Sequence, residues 1–200
     1  MSSTTDNTPN TLKPRGQLKL LAIAGVVIGP IFVAWLMATW QIGIPQTQTN
    51  NSSLVEPELT VQDWQLALEP VGYGAPWRLL VTAPGECMDA CLALVHEARQ
   101  IDVATGREAD RVEHVLATGQ PASDELMRRL SNDYPQLQQL PLVPAAYQDS
   151  LSVHPDIWQQ GPQLWVIDPL GRVVLHRDPA NPGKNLLDDL RHLLKVSKVG

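Results

Sequence analysis

From Leu20 to Ile44 the chain runs for 25 residues without a charged side chain (LLAIAGVVIGPIFVAWLMATWQIGI). As a helix rising 1.5 Å per residue, that stretch is roughly 37 Å long, enough to cross a hydrocarbon core of about 30 Å with some tilt. Pro30 would kink it, which a bilayer-spanning helix tolerates better than a soluble one. Trp35 and Trp40 stand near the far end, where aromatic rings favour the lipid–water boundary. Lys13, Arg15 and Lys19 precede the run, and no Lys or Arg follows until Arg78. The positive-inside rule therefore puts the N-terminus in the cytoplasm and the bulk of the chain across the membrane. A cleaved signal peptide fits less well, because both the apolar run and its polar leader are too long and no small-x-small cleavage site follows Met37.

This reading divides the chain into a cytoplasmic tail (1–19), a transmembrane helix (20–44), a linker (45–59) and an exported domain (60–200). The segment from Pro45 to Pro57, PQTQTNNSSLVEP, is polar and has the composition of a tether. Its Asn51-Ser52-Ser53 triplet matches N-x-S, a motif short enough to arise by chance. Charge follows the same division. The net charge is −6, with the first 50 residues at +2 and the remainder at −8. An acidic domain without a Lys/Arg cluster offers phosphates no landing site, so a nucleic-acid partner is excluded.

The only two cysteines lie four apart, in Gly85-Glu86-Cys87-Met88-Asp89-Ala90-Cys91. A short apolar strand, Trp77 to Thr82, precedes them. Cys91, Leu94, Val95 and Ala98 recur at helical spacing and predict a helix after them. The alternation of Val61 to Leu68 predicts a half-buried strand, with Trp64, Leu66 and Leu68 on one side. Val112 to Thr118 predicts another strand, and Leu137 to Val143 a short one. Ser123 is a plausible N-cap for a helix running to about Asn132. Gln163–Ile167 and Arg172–Arg177 flank the turn Asp168-Pro169-Leu170-Gly171 as a β-hairpin, and Asn185 to Lys195 reads as an amphipathic helix. Strand, helix, strand, helix, hairpin, helix is the thioredoxin order. The predicted fold class is α/β, a thioredoxin-like mixed sheet flanked by helices, with one N-terminal transmembrane helix.

The strand–CxxxC–helix start and the LWVIDPLGRVVLH hairpin with its terminal helix resemble the Sco family of membrane-anchored copper chaperones and cytochrome c oxidase assembly factors. The resemblance spans residues from about 60 to 197 and includes the single N-terminal anchor. It implies a thioredoxin fold, Cu(I) held by Cys87, Cys91 and a distant histidine, or reduction of a partner's cysteines by the same pair. It further implies a bacterial inner-membrane location with a periplasmic domain, and a cytochrome c oxidase subunit or another assembly factor as partner. Two departures stand out. Met88-Asp89-Ala90 fills the motif where relatives carry proline within or beside it. Gln159 and Gln160 occupy the region of the family's histidine, so His154 is the nearest candidate ligand.

The residues themselves leave several chemistries open. Two thiolates and an imidazole suit Cu(I), whereas structural zinc wants four donors. A helix N-terminus would lower a thiol pKa, while Glu86 and Asp89 oppose that and favour a cation. A redox role would make Cys87 the more exposed, attacking sulfur and Cys91 its resolving partner. A general thiol–disulfide oxidoreductase is a second reading, weakened because the usual catalytic pair is CxxC. A structural disulfide, or an interaction module that has lost its metal site, is the third. His154 otherwise reads as a surface histidine, and His114 and His176 as packed strand residues. His96 would point away from Cys91 on their helix. Asp168 and Gly171 serve the hairpin turn.

Overall fold

The computed structural model describes residues 14–40 and 52–197, in two compact units, Met1–Gln48 and Thr49–Gly200. The first holds one helix, α1 (Pro14–Trp40), with Pro30 inside it. The side chains described without a break run only from Ile23 to Met37. Among the described residues, then, no helix is long and apolar enough to cross a membrane. Residues 1–13, the end of the expected span after Trp40, and the first part of the linker lie outside the described residues.

The second unit is built on one six-stranded sheet, in the spatial order β1-β6-β5-β2-β3-β4. Its strands are β1 (Ser53–Thr60), β2 (Trp77–Ala83), β3 (Val112–Thr118), β4 (Gln138–Pro141), β5 (Gln163–Ile167) and β6 (Arg172–His176). β2, β3 and β4 are parallel neighbours, while β5 and β6 run antiparallel, so the sheet is mixed. The helices are α2 (Asp89–Thr105), α3 (Asp124–Asp133), α4 (Pro144–Ser150) and α5 (Gly183–Val196). The residues between Gly106 and Arg111 form a 3-10 turn that closes α2.

Every residue of β2 is buried, as its apolar run requires of a central strand covered on both faces. The pleat then sorts side chains into two cores. Leu79, Val81, Leu116 and Val166 face one way, under Val95 and Ala98 of α2 and Leu190 and Leu194 of α5. Leu80, Val115, Trp165 and Ile167 face the other, against Trp64, Tyr147, Leu151 and Trp158.

The edge strand differs from expectation. Residues 61–68 form no strand: the amide of Asp63 donates to Thr60, that of Gln65 to Gln62 and that of Leu66 to Val61, closing a tight turn instead. The alternation still had a physical basis, because Trp64, Leu66 and Leu68 are all buried in the second core. The sheet edge is taken by Ser53–Thr60, all but its last residue inside the segment expected to be linker. It pairs with β6 through Leu54↔Leu175 and Leu59↔Val173, with a register shift between them. Pro57 falls at that shift, where a missing N–H costs an edge strand little. The predicted hairpin forms as expected. Asp168 Oδ1 accepts from the amides of Leu170 (2.9 Å) and Arg172 (2.8 Å), and Gly171 adopts φ +83°, a conformation that glycine reaches without Cβ strain.

Candidate functional site

β2 delivers the chain to Ala83 at the C-terminal end of the sheet, and α2 begins at Asp89, so Cys87 lies in the connecting loop and Cys91 in the first helical turn. The two sulfurs are joined as a disulfide. Two backbone hydrogen bonds hold the loop: Gly119 donates to Ala83 (2.8 Å) and Gln120 to Gly85 (3.3 Å). Both come from the segment that follows β3, so sheet and loop are tied together beside the cysteines.

The expected difference in exposure between the sulfurs is not there. Cys87 is 3 % exposed and Cys91 2 %, and both pack in the core shared by α2 and α5. Their neighbour Met88 is 70 % exposed, so the disulfide lies just beneath the surface of its own loop. The reason is the helical turn, which directs Cys91 inward with Val95 and Ala98 and draws the bonded Cys87 in after it.

His154 is not brought to the cysteines. It is 7 % exposed rather than a surface residue, and its ring stacks on Trp158 with centroids 5.3 Å apart. Trp158 belongs to the core on the opposite face of the sheet from Cys87 and Cys91. Burial lowers the His154 pKa, partly offset by a hydrogen bond to the backbone of Glu56. Gln163, at the start of β5, hydrogen-bonds instead to His176 Nε2 (2.8 Å). Among the described residues no group of three or more His, Cys, Asp or Glu is arranged to hold a metal ion. The cysteine pair is closed as a disulfide, and His154, the histidine expected as the third donor, packs in the core on the other face of the sheet.

Sequence reasoning missed a polar cluster at the other end of the sheet. Arg78, fully buried in β2, donates to the Pro70 carbonyl (2.6 Å) and to Glu113 (3.2 Å). One residue further along β3, His114 faces Asp102 of α2 at 3.5 Å. The charged Asp102 among the buried, mostly apolar residues of α2 was the available signal.

A family model described as "Transmembrane-like, thioredoxin-like, C-terminal domain" matches residues 77–197, and one described as "Transmembrane-like, N-terminal domain" matches residues 10–41. No curated protein matches the chain. Among solved structures it is similar to copper-bound ScoI of Bradyrhizobium japonicum, at 19 % identity over 60 % of this chain and 85 % of that one, with a TM-score of 0.40. It is also similar to copper-bound yeast Sco1, at 13 % identity over 64 % and 81 % of the two chains, TM-score 0.46. The thioredoxin domain of a thiol-disulfide oxidoreductase from Bacteroides vulgatus is similar at 13 % identity over 60 % and 80 %, TM-score 0.42. Likenesses of this degree carry no argument about ligand or reaction.

Proposed function

The chain belongs to the transmembrane-like family with a thioredoxin-like C-terminal domain, and from that premise we propose that it is a membrane-tethered thiol–disulfide exchange protein acting through Cys87 and Cys91. The observation that carries the reading is the disulfide formed between them at the strand-to-helix junction. Residues 20–44 anchor it as a single pass in a bacterial inner membrane. The tail 1–19 lies on the cytoplasmic side and the domain in the periplasm.

In the reduced protein the Cys87 thiolate attacks a disulfide of the partner, forming a mixed disulfide and releasing one partner thiolate. Cys91 then attacks the Cys87 sulfur, which frees the second partner thiol and restores the Cys87–Cys91 bond. Two electrons pass to the partner, and an external dithiol returns the pair to its reduced state. The positive end of α2 favours thiolate at this position, and Asp89 in its first turn tempers that effect. Because both sulfurs are covered, exchange proceeds through opening of the 84–88 loop. The partner is a periplasmic protein with oxidisable cysteines; in the resemblance, that is a cytochrome c oxidase subunit or an assembly factor.

The burial of both sulfurs favours a second reading, a structural clamp fixing the start of α2. The reduction potential separates the two. Exchange proteins titrate between about −270 and −120 mV, whereas structural disulfides lie below about −300 mV. Equilibrating the full chain in glutathione or dithiothreitol buffers, followed by thiol alkylation, gives the value. A midpoint in the upper range supports exchange, and one below about −300 mV overturns it in favour of the clamp.

A further inference from the structure

At the end of the sheet away from the disulfide lies a cleft of about 860 Å³ between α2, β3 and the loop before β4. Its wall carries the carboxylates of Glu69, Asp102, Asp110 and Glu113, and also His114 and Arg99. Two of these groups are more than nine-tenths buried, Asp102 at 7 % and His114 at 6 % exposure. Both hold an unpartnered polar atom, Asp102 Oδ1 and His114 Nε2.

Their chemistry says what is missing between them. His114 Nε2 is a ring nitrogen without a hydrogen-bond partner, 3.5 Å from Asp102 Oδ2. The neutral ring carries one N–H and one lone pair, so with the proton on Nδ1 the Nε2 atom and the carboxylate are both acceptors. Burial lowers the His114 pKa despite the neighbouring carboxylate, which keeps the ring neutral near pH 7. Arg99 Nη1 reaches Asp102 Oδ2 at 3.2 Å but leaves Oδ1 unmet. Arg99 itself is 42 % exposed, so its side chain can move aside from the cleft. Unsatisfied buried acceptors of this kind are costly and call for a donor.

We propose that this cleft binds a protonated amine or guanidinium, whose N–H groups bond to Asp102 and to His114 Nε2 while the surrounding carboxylates neutralise its charge. The ligand class is an alkyl-ammonium or guanidinium, carried either by a small polyamine or by a Lys or Arg side chain of a peptide. An anionic ligand would oppose the carboxylates, and a neutral donor would leave their charge unbalanced. The site is independent of the disulfide, since His114 aligns with Leu79 near the start of β2 whereas the cysteines follow its end.

The test uses the full chain in an uncharged detergent, with histidine labelled at the ring Cε1. Putrescine and the blocked tripeptide Ala-Arg-Ala are titrated separately, with sodium chloride at matched ionic strength as control. Saturable movement of the His114 resonance by either probe, absent with salt, is the expected result. The probe that binds more tightly identifies the source of the cation. Asp102→Asn should weaken binding at least tenfold, and Glu69→Gln/Asp110→Asn, at the rim and harmless to packing, several-fold. No saturable shift with either probe overturns the proposal. So does affinity unchanged in both variants, or saturable binding of zinc chloride without binding of either cation.

Discussion

The amide of Gly119 donates to the carbonyl of Ala83 at 2.8 Å, and a Cβ at Gly119 would overlap the carbonyl oxygen of Pro84 and the ring of Pro144. The backbone after β3 thus lies directly on the backbone that leads to Cys87, with no room for a side chain. A backbone carbonyl cannot swing away as a long side chain can. Gly119→Ala is therefore expected to destabilise the domain by about 1–3 kcal/mol, in the range of overpacked sites. Urea unfolding of the detergent-solubilised chain, followed by tryptophan fluorescence, measures the change. An unaltered midpoint would show that the loop yields freely.

The disulfide joins residues separated by four positions. Closing so short a loop restricts the unfolded chain modestly, at about 2 kcal/mol in the chain-entropy model. Cys87→Ser/Cys91→Ser is expected to lose about that much and still fold, because the core beneath is formed by α2, α5 and the sheet. Thermal unfolding with and without dithiothreitol should bring the native chain to the level of the double variant. A native chain far more stable than the variant under full reduction would mean that the sulfurs matter through packing.

His176 is packed against Trp158 and Trp165, with ring centroids 4.8 and 4.6 Å away. Desolvation lowers its pKa to about 4; Asp178 opposes the shift and Arg177 adds to it. The folded value lies below the ordinary 6.5, so the unfolded chain binds the proton more readily. Stability from this group is complete above pH 6.5, declines as pH falls, and is lost by about pH 4. The loss amounts to about 3 kcal/mol. His114 and His154 are shifted downward too and act in the same direction. Urea midpoints between pH 7 and pH 4 should fall steeply for the native chain and less steeply for His176→Leu.

Asp168 is buried in the hairpin turn, where it accepts two backbone amides through Oδ1 and the Arg172 guanidinium through Oδ2 (2.7 Å to Nε). Removing the carboxylate leaves turn amides without their acceptor. Asp168→Ala is expected to cost about 2–3 kcal/mol. Asp168→Asn, which keeps one oxygen for the amides, should cost less. Equal losses in the two variants would place the energy in the ion pair with Arg172 alone, a pair half open to solvent.

The order of elements was legible because each rests on local chemistry. Trp77–Ala83 is apolar throughout, as a strand covered on both faces must be, and Ser123 caps α3 through its hydroxyl, accepting from the Leu126 amide at 3.3 Å. β1 escaped notice because Glu56, Pro57 and Glu58 look like linker; their places as edge residues depend on β6 lying beside them. Residues 61–68 misled in the reverse sense, since side-chain burial alternated there while the backbone turned.

The site divides along the same line. Sequence by itself placed two thiols at a strand-to-helix junction, because a four-residue spacing at a helix start is local geometry. It also fixed the apolar, uncharged character of residues 20–44 and the hairpin turn at Asp168. Only the tertiary structure decided that both sulfurs are covered, that His154 stacks on Trp158 across the sheet from them, and that Asp102 meets His114. Those relations join residues distant in the chain, and they arise when burying the two apolar faces of the sheet selects one packing of helices over strands. Local spacing carries no information about which faces will meet.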